Sequence, residues 1–308
     1  MFEATPLKSR MITLFKKHPL LTYYLVTFLI SWGGVVLISG GPGQISSEPG
    51  DVPFLPLYFI TVAGPMLAAL LLTGLYNGKK GYREVLSRLF KWRVSAKWYA
   101  VAFLAAPLSV FAALFALTLS SPVFMPGIFS SGNNPVALAF GLPGGNKIIL
   151  SLFVLGLGLF NGFVEEVGWT GFATPRLQLN HRLIASGLNL GIMWGLWHLL
   201  SNFIGSAEAA GAVPLPLYLS VMLFSFLPPF RILMVWVYEH TGSLLIAVLM
   251  HASLDAFWIL SMPVAITGSE RMTWYIVWAA VLWALVAIVS LARKNLLLSK
   301  SGKFAVDH

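Results

Sequence analysis

The chain has 308 residues, of which 57% are hydrophobic and only 10% charged, and its mean hydropathy is +0.80. Soluble domains carry about 25% charged residues, so this composition excludes an ordinary soluble enzyme and points to a membrane protein. The absence of cysteine excludes disulfides, thiolate metal sites and thiol catalysis, and the net charge of +9 includes no compact basic motif for nucleic acid, so it belongs with loop topology and anionic headgroups.

A bilayer core is crossed by about 20 apolar residues. Hydropathy predicts spans, in chain order, at 20–39, 53–76, 98–121, about 149–174, 183–203, 216–238, 242–260 and 273–292. The first is too long for a signal-peptide core and lacks a clear cleavage site, so it is expected to remain as a helix. Glu165 and Glu166 interrupt the fourth, and Pro228-Pro229 is expected to kink the sixth. Between the second and third spans, residues 81–97 alternate basic residues with Leu86, Leu89, Phe90 and Trp92. That pattern fits an interfacial amphipathic helix, and equally a solvated basic loop.

Lys and Arg alternate with the spans. They crowd the N-terminal arm (Lys8, Arg10, Lys16, Lys17), the 77–97 loop, the 175–182 loop (Arg176, Arg182) and the C-terminal tail. The intervening loops hold only Arg271 and the boundary residue Lys147. The positive-inside rule then requires an even number of spans with both termini in the cytoplasm. The expected organisation is a cytoplasmic arm at 1–18, a single transmembrane domain at 19–292 and a basic cytoplasmic tail at 293–308. There is no internal repeat. The fold class is therefore an all-α integral membrane protein of about eight transmembrane helices, multi-pass in a prokaryotic plasma membrane.

Six ionisable residues fall inside the spans: Glu165, Glu166, His198, Arg231, His251 and Asp255. A charge at mid-bilayer costs roughly 2.5–3.5 kcal/mol on insertion scales, so such residues pair, line a cavity or do chemistry. Counting inward from the cytoplasmic helix ends at 1.5 Å per residue puts Glu165 roughly 13 Å deep, His251 roughly 15 Å and His198 roughly 22 Å. Asp255 lies one turn beyond His251 on the same face. This estimate places the end of the fourth helix near Thr174, stopped by Pro175. Adjacent helix positions point about 100° apart, so only one of the paired glutamates can aim at a shared centre, and the other needs a second partner. Arg231, at a matching depth, is the cation available to it; its inert alternative is to snorkel to the headgroups. His181 and His240 lie at helix ends and are expected to be solvated.

One glutamate and two histidines allow two routes to peptide-bond hydrolysis. They can ligate zinc with an open position for water, using Glu165, His198, His251 and Asp255. Alternatively, with no cofactor, Glu165 is the general base for water, helped by His198, while His251 and Asp255 steady the oxyanion and Glu166 supports the base. The soluble zincin pattern is absent, and spacing alone does not separate the two routes.

The segments Glu165-Glu166-Val-Gly-Trp169-Thr-Gly171-Phe, Trp194-Gly-Leu-Trp-His198 and His251-Ala-Ser-Leu-Asp255 resemble, in order and on three helices, the motifs EExxxR, Phe/Trp-xxx-His and HxxxN/D of the CPBP (CAAX protease and bacteriocin-processing, or Abi) membrane endopeptidases. The resemblance covers the core at about 149–260. It implies a CAAX-protease-like helical bundle and an intramembrane endopeptidase acting on a peptide or protein substrate, prenylated or otherwise membrane-bound, in or near the bilayer. It leaves open a glutamate-type or a zinc-dependent mechanism. The family's motif arginine falls here on Thr170, and Arg231 is the expected substitute from another helix. Two non-proteolytic classes also fit a buried Glu/His cluster: a membrane scaffold or bacteriocin-immunity protein, and a proton-coupled transporter. A transporter would favour two related halves, and none is visible.

Overall fold

The structure, a computed structural model, describes residues 15–48, 50, 53–130, 134–142, 146–178 and 182–304. Lys8 and Arg10 of the basic arm, His181, and residues 305–308 of the tail lie outside the described residues. Among the described residues there is no β-strand, and eight helices are long and apolar enough to cross a membrane. They are α1 (Pro19–Ile38), α2 (Phe54–Leu89), α3 (Ala96–Thr118), α4 (Lys147–Gln178), α5 (Leu183–Phe203), α6 (Leu215–Thr241), α7 (Leu244–Ser261) and α8 (Gly268–Phe304), whose spanning part is Gly268–Arg293. The chain is an all-α, multi-pass integral membrane protein, and each span lies close to where hydropathy puts it. Outward leucines such as Leu25, Leu29 and Leu71 are exposed, as a surface solvated by lipid tails requires.

Three local features depart from the sequence reading, and the break expected in the sixth helix is present. Helix α2 does not stop at the end of its apolar run near Tyr76. Gly78 takes a left-handed φ of 54°, which a residue without Cβ adopts readily, and the helix bends there and resumes to Leu89. The amphipathic segment expected over 81–97 is thus helical only as far as Leu89. Phe90 and Trp92 follow it as exposed side chains in a non-helical turn that leads into α3.

Helix α4 also runs past Thr174, and Pro175 does not end it. Trp169–Ala173 form a π-helical turn, in which the Thr174 N–H reaches five residues back to the Trp169 carbonyl. The Thr174 hydroxyl donates to the same carbonyl at 2.8 Å. Pro175 then stands at the start of a fresh α-helical stretch, Thr174–Gln178, where a missing N–H is tolerated. Helix α6 is interrupted at Ser225 and Phe226, with Pro228 and Pro229 in the first turn of its second half, Leu227–Thr241. Helix α8 continues to Phe304, so the tail expected from residue 293 begins as helix.

Helix α7 packs most extensively on α4 and α3, with α6 alongside; α5 packs on α6, and α2 on α1 and α4. The α4–α7 contact is close because Gly158 and Gly162 face it. A Cβ at Gly158 would stand 2.6 Å from the Ala252 carbonyl oxygen, and one at Gly162 2.5 Å from that of Val248. Small residues four apart let two helices approach backbone to backbone where no hydrophobic effect drives them together. This contact sets the acidic pair of α4 beside the histidine of α7.

Candidate active site

Four helices supply one buried polar cluster. Glu165 and Glu166 sit on α4 just before the π turn, Trp194 and His198 on α5, Arg231 on α6, and His251 and Asp255 on α7. Glu165, Glu166, Arg231 and His251 are each no more than 2% exposed.

The two glutamates point to different partners, as their 100° separation demands. Glu166 faces away from the cavity. Its Oε2 accepts from Arg231 Nη1 at 2.9 Å and from the Thr170 hydroxyl, and its Oε1 lies 2.7 Å from His251 Nδ1. The Arg231 guanidinium is also stacked 4.3 Å from the Trp194 ring centre. Arg231 therefore neither snorkels nor faces lipid. A carboxylate can only accept, so the proton of this pair sits on Nδ1 and the imidazole turns Nε2 the other way. Nε2 lies 3.8 Å from Glu165 Oε1 and 3.6 Å from Asp255 Oδ1. Glu165 is held by the Trp194 indole N–H at 2.8 Å. Asp255 accepts from the Asn161 amide at 2.8 Å, and Asn161 in turn accepts from the Tyr58 hydroxyl.

A cavity of about 330 Å³ lies against this cluster. Glu165, Asp255, Asn161, His198 and Trp194 line it, together with Ser201 and Asn202. Glu166, His251 and Arg231 stand behind that wall. The remaining lining is apolar, including Phe54, Leu157, Phe226 and Trp258. A narrow apolar pocket with a few convergent polar groups is the usual form of a ligand site.

The structure thus brings together Glu165, Glu166, His251, Asp255 and Arg231. His198 lines the same cavity and touches the Trp194 and Trp197 rings, with centroids 5.8 and 4.5 Å away, but its side chain makes no hydrogen bond among the described residues. Among the described residues no set of three or more His, Asp and Glu side chains is arranged to hold a metal ion. The ligand set drawn from the sequence (Glu165, His198, His251, Asp255) does not fit a metal as it stands. His198 is not joined to the others, whereas His251, with Nδ1 held by Glu166, still presents Nε2 toward Glu165 and Asp255.

Three participants escaped the sequence reading. Asn161 lies one turn before Glu165 on the same face, a spacing that was visible, but an uncharged side chain attracts no attention in a search for ionisable residues. In the sequence reading Trp194 is only the first residue of a motif, and Thr170 only the position of the missing arginine. His240 is exposed, as expected, and its Nδ1 lies 2.8 Å from the Trp236 carbonyl oxygen.

Comparison with known proteins gives a consistent picture. Residues 147–257 match the family model described as Type II CAAX prenyl endopeptidase Rce1-like. The chain is also 23% identical, over 294 residues, to a protein named CAAX prenyl protease 2 from Methanococcus maripaludis; the match covers 95% of this chain and 100% of the relative. The matched segment carries all three motifs.

Proposed function

We propose that this chain, a relative of the Rce1-like CAAX prenyl endopeptidases through its motif-bearing core, is an intramembrane endopeptidase that hydrolyses a peptide bond in or near the bilayer. The single observation that carries the reading is the position of Glu165. Its carboxylate lines an apolar cavity, is aimed by an indole N–H, and faces a histidine whose other nitrogen is fixed by a second, arginine-paired glutamate. An inert buried pair would not need this layered orientation of a carboxylate toward open space.

In the mechanism, a water molecule within hydrogen-bond reach of Glu165 Oε1, His251 Nε2 and Asp255 Oδ1 is the nucleophile. Those atoms are 3.6–3.8 Å apart about Nε2, a spacing that one oxygen can bridge. Glu165 takes a proton from the water as its oxygen attacks the scissile carbonyl carbon, then gives that proton to the leaving amine. Glu166 holds the His251 tautomer and ring plane. His198, unengaged on the cavity wall, is the donor for the carbonyl oxygen as it becomes negative. Asn161 holds Asp255 in place. No step passes through a metal, and activity is expected to persist in a phenanthroline-treated preparation.

Residues 19–292 act as one membrane domain, with both termini in the cytoplasm of a prokaryotic cell. The substrate is a peptide or protein bearing an apolar segment. Glu165→Gln tests the reading, because an amide cannot accept the proton from water. The variant should insert and purify like the parent while cleavage falls by at least 100-fold. His198→Ala and His251→Ala should fall similarly. Full activity in Glu165→Gln would rule out the base, and a Glu165→Gln chain that fully replaces the parent in cells would point to a scaffold.

A further inference from the structure

The cavity has a floor and a mouth, and they lie at different depths along the helices. Glu165, Trp194 and Asp255 form the floor. The wall then runs to Phe54 in the first turn of α2, Phe140 in the stretch before α4, and Ile204 just past the end of α5. All three rim residues stand at helix ends served by the loops at 40–52, 122–146 and 204–215. Backbone bonds join two of these loops into one surface: Gly205 N–H donates to Ser46 O at 3.1 Å, and Ala207 N–H to Ser47 O at 2.9 Å. The described lining takes nothing from α4 beyond Glu165, from α5 before Trp194, or from α7 before Leu254. The cavity therefore does not extend into the half of the bundle facing the loops at 77–97 and 175–182, where a separate groove is lined by Glu84, Arg88, Pro175 and Tyr238.

The mouth and the basic charge are on opposite faces. The loops at 77–97 and 175–182 carry Lys79, Lys80, Arg83, Arg88, Lys91, Arg93, Lys97, Arg176 and Arg182, whereas the rim-side loops hold only Arg271 and the boundary residue Lys147. Lys and Arg in short loops stay in the cytoplasm. We infer that the cavity opens on the extracytoplasmic face, and that the substrate is an exported or membrane-anchored polypeptide presenting an apolar segment from outside the cell. A chain end presented from the cytoplasm would meet the basic face, on the side away from this mouth. The word substrate rests on the peptidase reading above; the sidedness does not.

The native chain has no cysteine, so single cysteines report position cleanly. Ile204→Cys at the rim and Gln44→Cys in an exposed turn of the same face should react with a membrane-impermeant maleimide in intact cells. Arg83→Cys should react only after permeabilisation. Ile204→Cys and Gln44→Cys reacting only after permeabilisation, or Arg83→Cys reacting in intact cells, would overturn the inference. The same labelling in a Glu165→Gln background separates the two ideas, because a failure of the peptidase reading changes cleavage and leaves the labelling pattern as it is.

Discussion

Three donors converge on the carboxylate of Glu166: the guanidinium of Arg231, the hydroxyl of Thr170 and Nδ1 of His251. The family motif supplies an arginine from the same helix, one turn on. Here that position contributes only a hydroxyl, and the cation arrives from α6. A buried carboxylate next to a second one is tolerable only with such compensation. Removing one partner of a buried pair costs about 3–5 kcal/mol, because the remaining charge is left without a counter-ion. Arg231→Leu should therefore lower thermal stability sharply or prevent accumulation of the protein. Adding Thr170→Arg returns a cation to the helix that carries the glutamates and should recover part of the stability or the cleavage activity. A double variant no better than Arg231→Leu alone, in melting temperature and in cleavage, would count against compensation. Depth counting along the helices placed Arg231 at the level of Glu166; it did not give which of the two carboxylates turns toward the guanidinium. That choice depends on the rotation of α4 about its axis, which a hydropathy profile does not contain.

Helix α4 shows what in an element is legible from sequence and what is not. Its apolar composition, its end beyond Trp169 and the facing of its acidic pair toward α7 all follow from residue type and spacing. The π turn over Trp169–Ala173 does not, because one extra residue in a turn leaves no mark on composition. Nor does the run past Pro175, which that turn permits. The cluster also depends on how closely α4 lies against α7, and this is where the glycines act. Gly162 faces the Val248 carbonyl oxygen at a distance a Cβ cannot occupy, whereas Gly156, less than two turns earlier, has nothing within 4 Å of the equivalent point. Gly162→Leu should force the helices apart, at a cost of about 1–3 kcal/mol for overpacking, and should depress cleavage by misplacing Glu165 relative to His251. Gly156→Leu should leave both melting temperature and cleavage near parental values. Equal effects of the two substitutions, read by thermal melting in detergent, would mean that the close approach is not what holds the site together.

At the scale of the whole molecule, orientation is set by charges that have no part in the site. The eight spans and the alternation of Lys and Arg between successive loops are consistent only if the number of crossings is even. Hydropathy alone left the fourth span doubtful because of its glutamates. The fold accommodates them by turning Glu166 inward to Arg231 and Glu165 to an internal cavity, so neither charge meets lipid and α4 counts as a full crossing. Were α4 a re-entrant segment instead, the 175–182 loop and the C-terminus would both lie on the wrong side for their basic residues. Reporter fusions separate these cases without reference to catalysis. A fluorescent protein that folds only in the cytoplasm should be bright when fused after Gln178 and after the C-terminus, and dark when fused after Gln44. Alkaline phosphatase at the same positions should give the opposite pattern. A bright C-terminal fusion combined with an active phosphatase after Gln178 would make the number of crossings before that point odd, and the eight-span arrangement would have to be abandoned.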